Sequence, residues 1–151
     1  MKRKPNIIVI IEGIYVGLWS SIIKILSEDY NVIITTRSYN KRFLESHFPN
    51  SFLNIENKDE HDKKIMREEL CQVDHVKKAL EYENKYNETF SMLMSQDRGL
   101  GKGYIFNADR HPYQAKESWS YEDKIKSILK EFIFWEYIVE KYSPVLCMTL
   151  L

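Results

Sequence analysis

Within its first 36 residues this chain sets two β-branched runs on either side of a helical one, and that arrangement restricts the fold more than anything else in it. Asn6–Glu12 (NIIVIIE) reads as a strand, because isoleucine and valine suit the pleated, buried surface of a sheet. Leu18, Ile22, Ile23, Ile25 and Leu26 then recur at helical spacing and predict a helix ending near Ser27. Asp29-Tyr30-Asn31 is a turn, and Val32–Thr36 (VIITT) is a second strand. Strand, helix and strand in about 30 residues make a βαβ unit, whose strands pair in parallel through a right-handed crossover. A parallel sheet carries helices on its faces. The fold class is therefore α/β, a Rossmann-like parallel sheet flanked by helices.

Further elements follow from the same signals. Tyr39–Phe48 reads as a short helix ending before Pro49, and Ser51–Ile55 as a short peripheral third strand. Asn57–Asp62 is polar and reads as a loop. From about Glu60 to Met94 the pattern predicts a long helix, broken at most once. Its apolar stripe is Met66, Leu70, Val73, Val76 and Leu80, continued by Phe90 and Leu93. Asp97–Pro112 holds three of the five glycines and reads as a loop. Ser120, with Asp123 three residues on, resembles a capping box at the start of a buried helix that Pro144 stops. The last seven residues, Val145–Leu151, form an uninterrupted apolar run, as expected of a strand covered on both faces.

Bulk composition removes some classes of function. Lysine plus arginine equals aspartate plus glutamate, 22 each, so nothing favours nucleic acid as a partner. Met1-Lys2-Arg3-Lys4 is basic, but the apolar run behind it is short, is broken by Glu12 and lacks a small-residue cleavage site. No stretch approaches the ~18 apolar residues of a membrane span. Cys71 and Cys147 sit in apolar settings and read as reduced core thiols, which fits a cytoplasmic protein.

The residues that might carry chemistry begin where the first strand ends. Glu12-Gly13-Ile14-Tyr15-Val16-Gly17 opens the first helix, where free backbone N–H groups favour anions. The dinucleotide fingerprint needs G-x-G-x-x-G. Only G-x-x-x-G is present, and Ile14 and Tyr15 would crowd a pyrophosphate, so no NAD or FAD is expected. A looser ligand role for Gly13, Tyr15 and Gly17 stands beside a plainer one, in which the glycines let the chain turn and the helix pack closely. Gly99-Leu100-Gly101-Lys102-Gly103 lacks the Ser or Thr and the preceding strand of a phosphate loop. It is a linker, or a loop that reaches substrate through Arg98 and Lys102. Cys71 and His75 have helical spacing for two metal ligands, but no second pair completes a site, and no metal or other cofactor is expected. His111 offers an acid–base group in a loop, and Glu136 beside Trp135 is a charge within an apolar helix that needs a partner or a cleft.

Taken together, Asn6–Gly17 (NIIVIIEGIYVG), Gln96–Gly103 (QDRGLGKG) and Phe134–Leu151 (FWEYIVEKYSPVLCMTLL) resemble the N-terminal Rossmann-like half of GT-B glycosyltransferases of the bacterial capsule and surface-polysaccharide type. The resemblance implies a two-domain enzyme with its active site between the domains. The N-terminal domain would bind a sugar or lipid-linked acceptor, and a second domain the nucleotide sugar. On this reading residues 1–151 are a single truncated domain, inactive without that second domain. It would work in the cytoplasm, in peripheral contact with the inner face of the membrane. Glu12, at the carboxyl end of the first strand, is the candidate base for the acceptor hydroxyl. Gly13, Tyr15, Gly17, Arg98 and Lys102 are the candidate substrate-binding residues. An alternative from another class is a small non-catalytic interaction domain that dimerises or pairs through its C-terminal strand. A central terminal strand would favour the enzyme fragment, and an edge strand the interaction domain.

Overall fold

The protein was analysed as a computed structural model, which describes residues 4–11, 16–47, 54–96 and 120–149. Among these described residues the elements, in chain order, are β1 (Asn6–Ile11), α1 (Val16–Asp29), β2 (Asn31–Thr36), α2 (Ser38–His47), β3 (Asn54–Asn57), α3 (Lys58–Glu68), α4 (His75–Tyr86), α5 (Phe90–Gln96), α6 (Tyr121–Tyr142) and β4 (Leu146–Thr149). The chain divides into two compact units, Met1–Lys64 with Phe134–Leu151, and Ile65–Ile133.

The first unit holds the sheet. All four strands are parallel, in the order β3-β2-β1-β4. The expected α/β class and the βαβ unit are both present. On one face Ile7, Val9 and Ile11 of β1 and Val32 and Ile34 of β2 pack with Trp19 and Ile23 of α1 and Leu44 of α2. Residues pointing to the other face alternate with these. Ile8, Ile33 and Thr35 are buried there, and Phe134 and Ile138 of α6 are buried in the same unit. The near-continuous apolar character of β1 and β2 is thus explained by burial on both faces.

Asn6 joins the amino ends. Its carbonyl accepts Val145 N–H at 2.9 Å, its side-chain oxygen accepts Asn31 Nδ2 at 2.6 Å, and its own Nδ2 donates to the Tyr142 carbonyl at the end of α6. Tyr142 O is one of the carbonyls a helix end leaves without an intrahelical partner.

The terminal strand departs from expectation. β4 is an edge strand rather than a buried one, and Val145, Leu146 and Cys147 are exposed. β1 and β2 occupy the central positions, so among the described residues β4 has a strand neighbour on one side only. Leu150 and Leu151 lie outside the described residues. Cys71, in the second unit, is exposed too, so neither cysteine is a core residue.

Asn57–Asp62 is not a loop. β3 runs to Asn57, shifted toward the C-terminus from the expected Ser51–Ile55, and α3 begins at Lys58. Asn57 starts that helix: its side-chain oxygen accepts Asp59 N–H at 3.2 Å, and Asp59 and Glu60 place negative charge in the first turn.

In the second unit the expected long helix is broken twice. Asp74 caps α4 by accepting Lys77 N–H at 3.0 Å. Asn87 ends it in the left-handed region at φ 55°, a conformation that asparagine tolerates. Thr89 Oγ1 then accepts Met92 N–H at 3.2 Å to start α5. These breaks rotate the apolar stripe out of register. Met66, Val73, Val76 and Leu80 are exposed, while Leu70, His75, Ala79, Phe90 and Met94 are buried. Phe132 stacks with Tyr86 and Phe90 and lies tilted against Tyr82, at centroid distances of 5.2–5.7 Å. The Ser120 capping box forms as expected: Asp123 N–H donates to Ser120 Oγ at 3.1 Å, and Ser120 N–H returns to Asp123 Oδ2 at 3.0 Å.

Thr35 Oγ1 is buried without a hydrogen-bond partner, an uncompensated desolvation. Thr35→Val, which keeps the branched shape and removes the hydroxyl, is expected to stabilise the protein by about 1 kcal/mol in urea unfolding.

Candidate functional site

In open parallel sheets ligands bind outside the carboxyl ends of the strands, at the point where strand order reverses. Here the chain runs outward from β1 through β2 to β3, then returns to β4 on the other side of β1. The reversal therefore lies between β1 and β4, beyond Ile11 and Thr149. Ile11, Thr36 and Asn57 stand in register at the carboxyl ends.

The polar residues at these ends brace one another. Thr36 Oγ1 donates to the Ile11 carbonyl at 2.9 Å, and Asn40 Nδ2 approaches the same oxygen at 3.4 Å. Both side chains are buried, so the last peptide of β1 is held from the β2 side. Asp59 accepts Ser38 N–H at 2.8 Å and Arg37 Nη1 at 2.9 Å. The Ser38 backbone bond, assisted by Arg37 against a smaller opposing effect of burial, holds the Asp59 carboxyl below its ordinary range. Asn57 Nδ2 donates to Glu60 Oε1 at 2.8 Å and to Ser38 Oγ at 3.1 Å. β2, α2, β3 and α3 are thereby tied together at the carboxyl ends, on the side of the sheet away from the reversal.

Of the residues singled out from the sequence, Gly17 lies in the first turn of α1, which follows β1 across the carboxyl end. Glu12, Gly13, Tyr15, Arg98 and Lys102 lie outside the described residues, as do His111 and the Gly99–Gly103 loop. Trp135 and Glu136 are half-buried on α6. His75 has both ring nitrogens facing acceptors, Leu70 O at 2.8 Å and Glu122 Oε1 at 2.9 Å, so no lone pair is directed outward for a metal beside Cys71. Among the described residues no three His, Cys, Asp or Glu side chains gather in a way that would hold a metal ion.

A second polar cluster was not foreseen. Glu56, buried on β3, accepts hydrogen bonds from His61 Nε2 at 2.7 Å, Lys141 Nζ at 2.7 Å and the Tyr142 hydroxyl. Lys141 also donates to Tyr137 Oη at 2.8 Å, and the His61 ring packs against Phe134 and Tyr137. Burial alone would push the Glu56 carboxyl up. The bonds from Lys141, Tyr142 and His61 outweigh it and hold the group below its ordinary range. The Glu56 bond, and then the Tyr137 bond, push the Lys141 ammonium well up. Burial, and then Glu56, raise the Tyr142 phenol. A carboxylate and an ammonium so firmly ionised are poorly placed to exchange protons near neutrality. The cluster is a latch that fixes β3 to α3 and to the end of α6. Its sequence signal was a lone glutamate inside a short strand, which needs buried partners wherever that strand is covered.

Comparison with protein-family models, with curated proteins and with solved structures found no match for this chain. Among the described residues no helix is long and apolar enough to cross a membrane.

The latch makes stability depend on pH with a definite sign. A carboxyl whose folded value is depressed contributes stability that is present above its ordinary value and is lost as pH falls through the folded one. Stability should therefore decline below about pH 4. Glu56→Gln is expected to lose about 1–2 kcal/mol at neutral pH and to flatten the acid-side decline, as read by urea unfolding at a series of pH values.

Proposed function

We propose that this chain is the acceptor-side module of a glycosyltransferase in surface-polysaccharide synthesis, with its ligand outside the carboxyl ends of β1 and β4. The observation that carries the reading is the strand order, which reverses beside β1, where open parallel sheets bind their ligands; the edge position of β4 counts instead toward the alternative, a small interaction domain pairing through that strand. It is supported by the bracing of the Ile11 carbonyl by Thr36 and Asn40, which fixes the carboxyl end of β1.

Glu12 follows Ile11 in the sequence. In this reading its carboxylate takes the proton from the acceptor hydroxyl as that oxygen displaces the nucleotide leaving group from an activated sugar. Gly13, Tyr15 and Gly17 adjoin the acceptor, and Arg98 and Lys102 reach it from their loop. The nucleotide sugar is held by a second domain, so residues 1–151 alone bind acceptor without turnover. The setting is the cytoplasm, at the inner face of the membrane, where a lipid-linked acceptor presents its sugar.

The test is a titration of ¹⁵N-labelled chain with mono- and disaccharides and with a short-chain prenyl-pyrophosphate-linked sugar, followed by amide chemical shifts. The expected result is saturable movement at Ile11, Gly17, Thr36 and Thr149. Movement confined to the amino ends at Asn6 and Asn31, or no movement with any probe, would contradict the proposal.

A further inference from the structure

We infer that β4 pairs with β4 of a second copy of this chain, antiparallel across a two-fold axis at Cys147, so that two four-stranded sheets become one. The surface adjoins the carboxyl-end ligand site at Thr149 but does not depend on it, and the inference stands or falls on its own.

The two edges of the sheet are built differently. β3 is Asn-Ile-Glu-Asn, a short polar strand whose glutamate is engaged by the latch. β4 is Leu-Cys-Met-Thr, and no charged residue occurs from Pro144 to Leu151. Natural sheet edges are guarded by charge, proline or a bulge. β4 has no charge or proline, and it runs in unbroken register with β1 from Leu146 to Thr149. Val145 and Leu146 are 66% and 52% exposed, which is costly apolar surface unless it is covered.

Backbone direction identifies what fits. Val145 N–H points to β1, where it donates to Asn6 O. In a parallel ladder alternate residues face the same neighbour. Val145, Cys147 and Thr149 therefore face β1, while Leu146 and Met148 turn their N–H and C=O groups outward. Only another strand matches that spacing. A two-fold axis perpendicular to the strands sets a strand edge against its own copy antiparallel, whereas one along the strands would set N–H against N–H.

Placing the axis at Cys147 uses every outward group of β4. Leu146 lies opposite Met148 of the second copy, and Met148 opposite its Leu146, which gives four hydrogen bonds. An axis at Met148 would engage only Met148 with itself inside the strand. No like charges meet at the Cys147 axis, and the exposed apolar side chains cover one another. Cys147 then faces its own copy at a non-hydrogen-bonded position, where Cα atoms lie about 4.5 Å apart. That separation falls within the roughly 4.4–6.8 Å that a disulfide spans. Cys147 is exposed and free, so the register can be trapped.

The experiment uses the whole chain with Cys71→Ser, sized by light scattering and sedimentation. Half the sample is oxidised with diamide at mildly alkaline pH, because partial desolvation against the sheet pushes the otherwise exposed Cys147 thiol up. The expected mass is twice the 18.1 kDa of one chain, with a Cys147–Cys147 link as the main oxidation product. Leu146→Lys, at a half-exposed position, should keep the circular dichroism melt while weakening dimerisation by about tenfold or more. Cys147→Ser should abolish the link but keep the dimer. A monomer at every concentration overturns the inference, and so does a dimer that neither cross-links through Cys147 nor responds to Leu146→Lys. A partner strand from another protein would show as the monomer.

Discussion

The double pairing of β1 is the constraint from which the rest of this structure follows. β1 is bonded to β2 on one side and to β4 on the other, both in parallel and both in unbroken register. Each pairing aligns strand ends, so amino ends meet at Asn6 and Asn31, and carboxyl ends meet at Ile11 and Thr36. With both edges of β1 used, its side chains have only the two sheet faces, and both faces are covered. Six consecutive apolar and amide side chains then become the best use of the sequence rather than an aggregation hazard.

Polar side chains decide what happens around that centre. Asn6 gathers β2, β4 and the end of α6 at one end of the strand; Thr36 and Asn40 hold its last carbonyl at the other. Glu56 does for β3 what burial does for β1, since a four-residue strand with one apolar side chain has little hydrophobic surface to anchor it. The latch therefore supports the end of the sheet farthest from the strand-order reversal, and the reversal is left to the β1–β4 side. Among the described strands β4 pairs with β1, and Leu146 and Met148 turn their backbone groups to the other side.

How much of this the sequence shows depends on whether a residue's role is local. Ile7 to Ile11, the α1 periodicity and the Ser120–Asp123 cap are local, and each is read directly. The breaks at Asp74, Asn87 and Thr89 are also local, since these are ordinary cap residues, but a count of apolar positions overrode them and carried one helix through. Asn57 was missed for the same reason: a polar run reads as a loop until its asparagine is seen as a cap. Other features are not local. Whether Val145 to Thr149 is central or peripheral depends on which strands flank it, and an apolar run fits either. Glu56, His61 and Lys141 lie far apart along the chain, so no spacing rule unites them. For the chemistry, Gly17 alone among the candidate residues is placed, at the start of α1, and the strand order carries the argument in place of the others.

The most direct test of the central claim is residue-resolved amide hydrogen exchange in β1. In the alternating pattern of this ladder Ile7, Val9 and Ile11 donate toward β2, while Ile8 and Ile10 donate toward β4. If β1 is paired on both sides, Ile8 and Ile10 are protected to the same extent as Ile7 and Val9, near the limit set by global unfolding. If Ile8 and Ile10 exchange quickly while Ile7 and Val9 stay slow, β1 is an edge strand. The strand-order reversal, and the site built on it, would then be wrong.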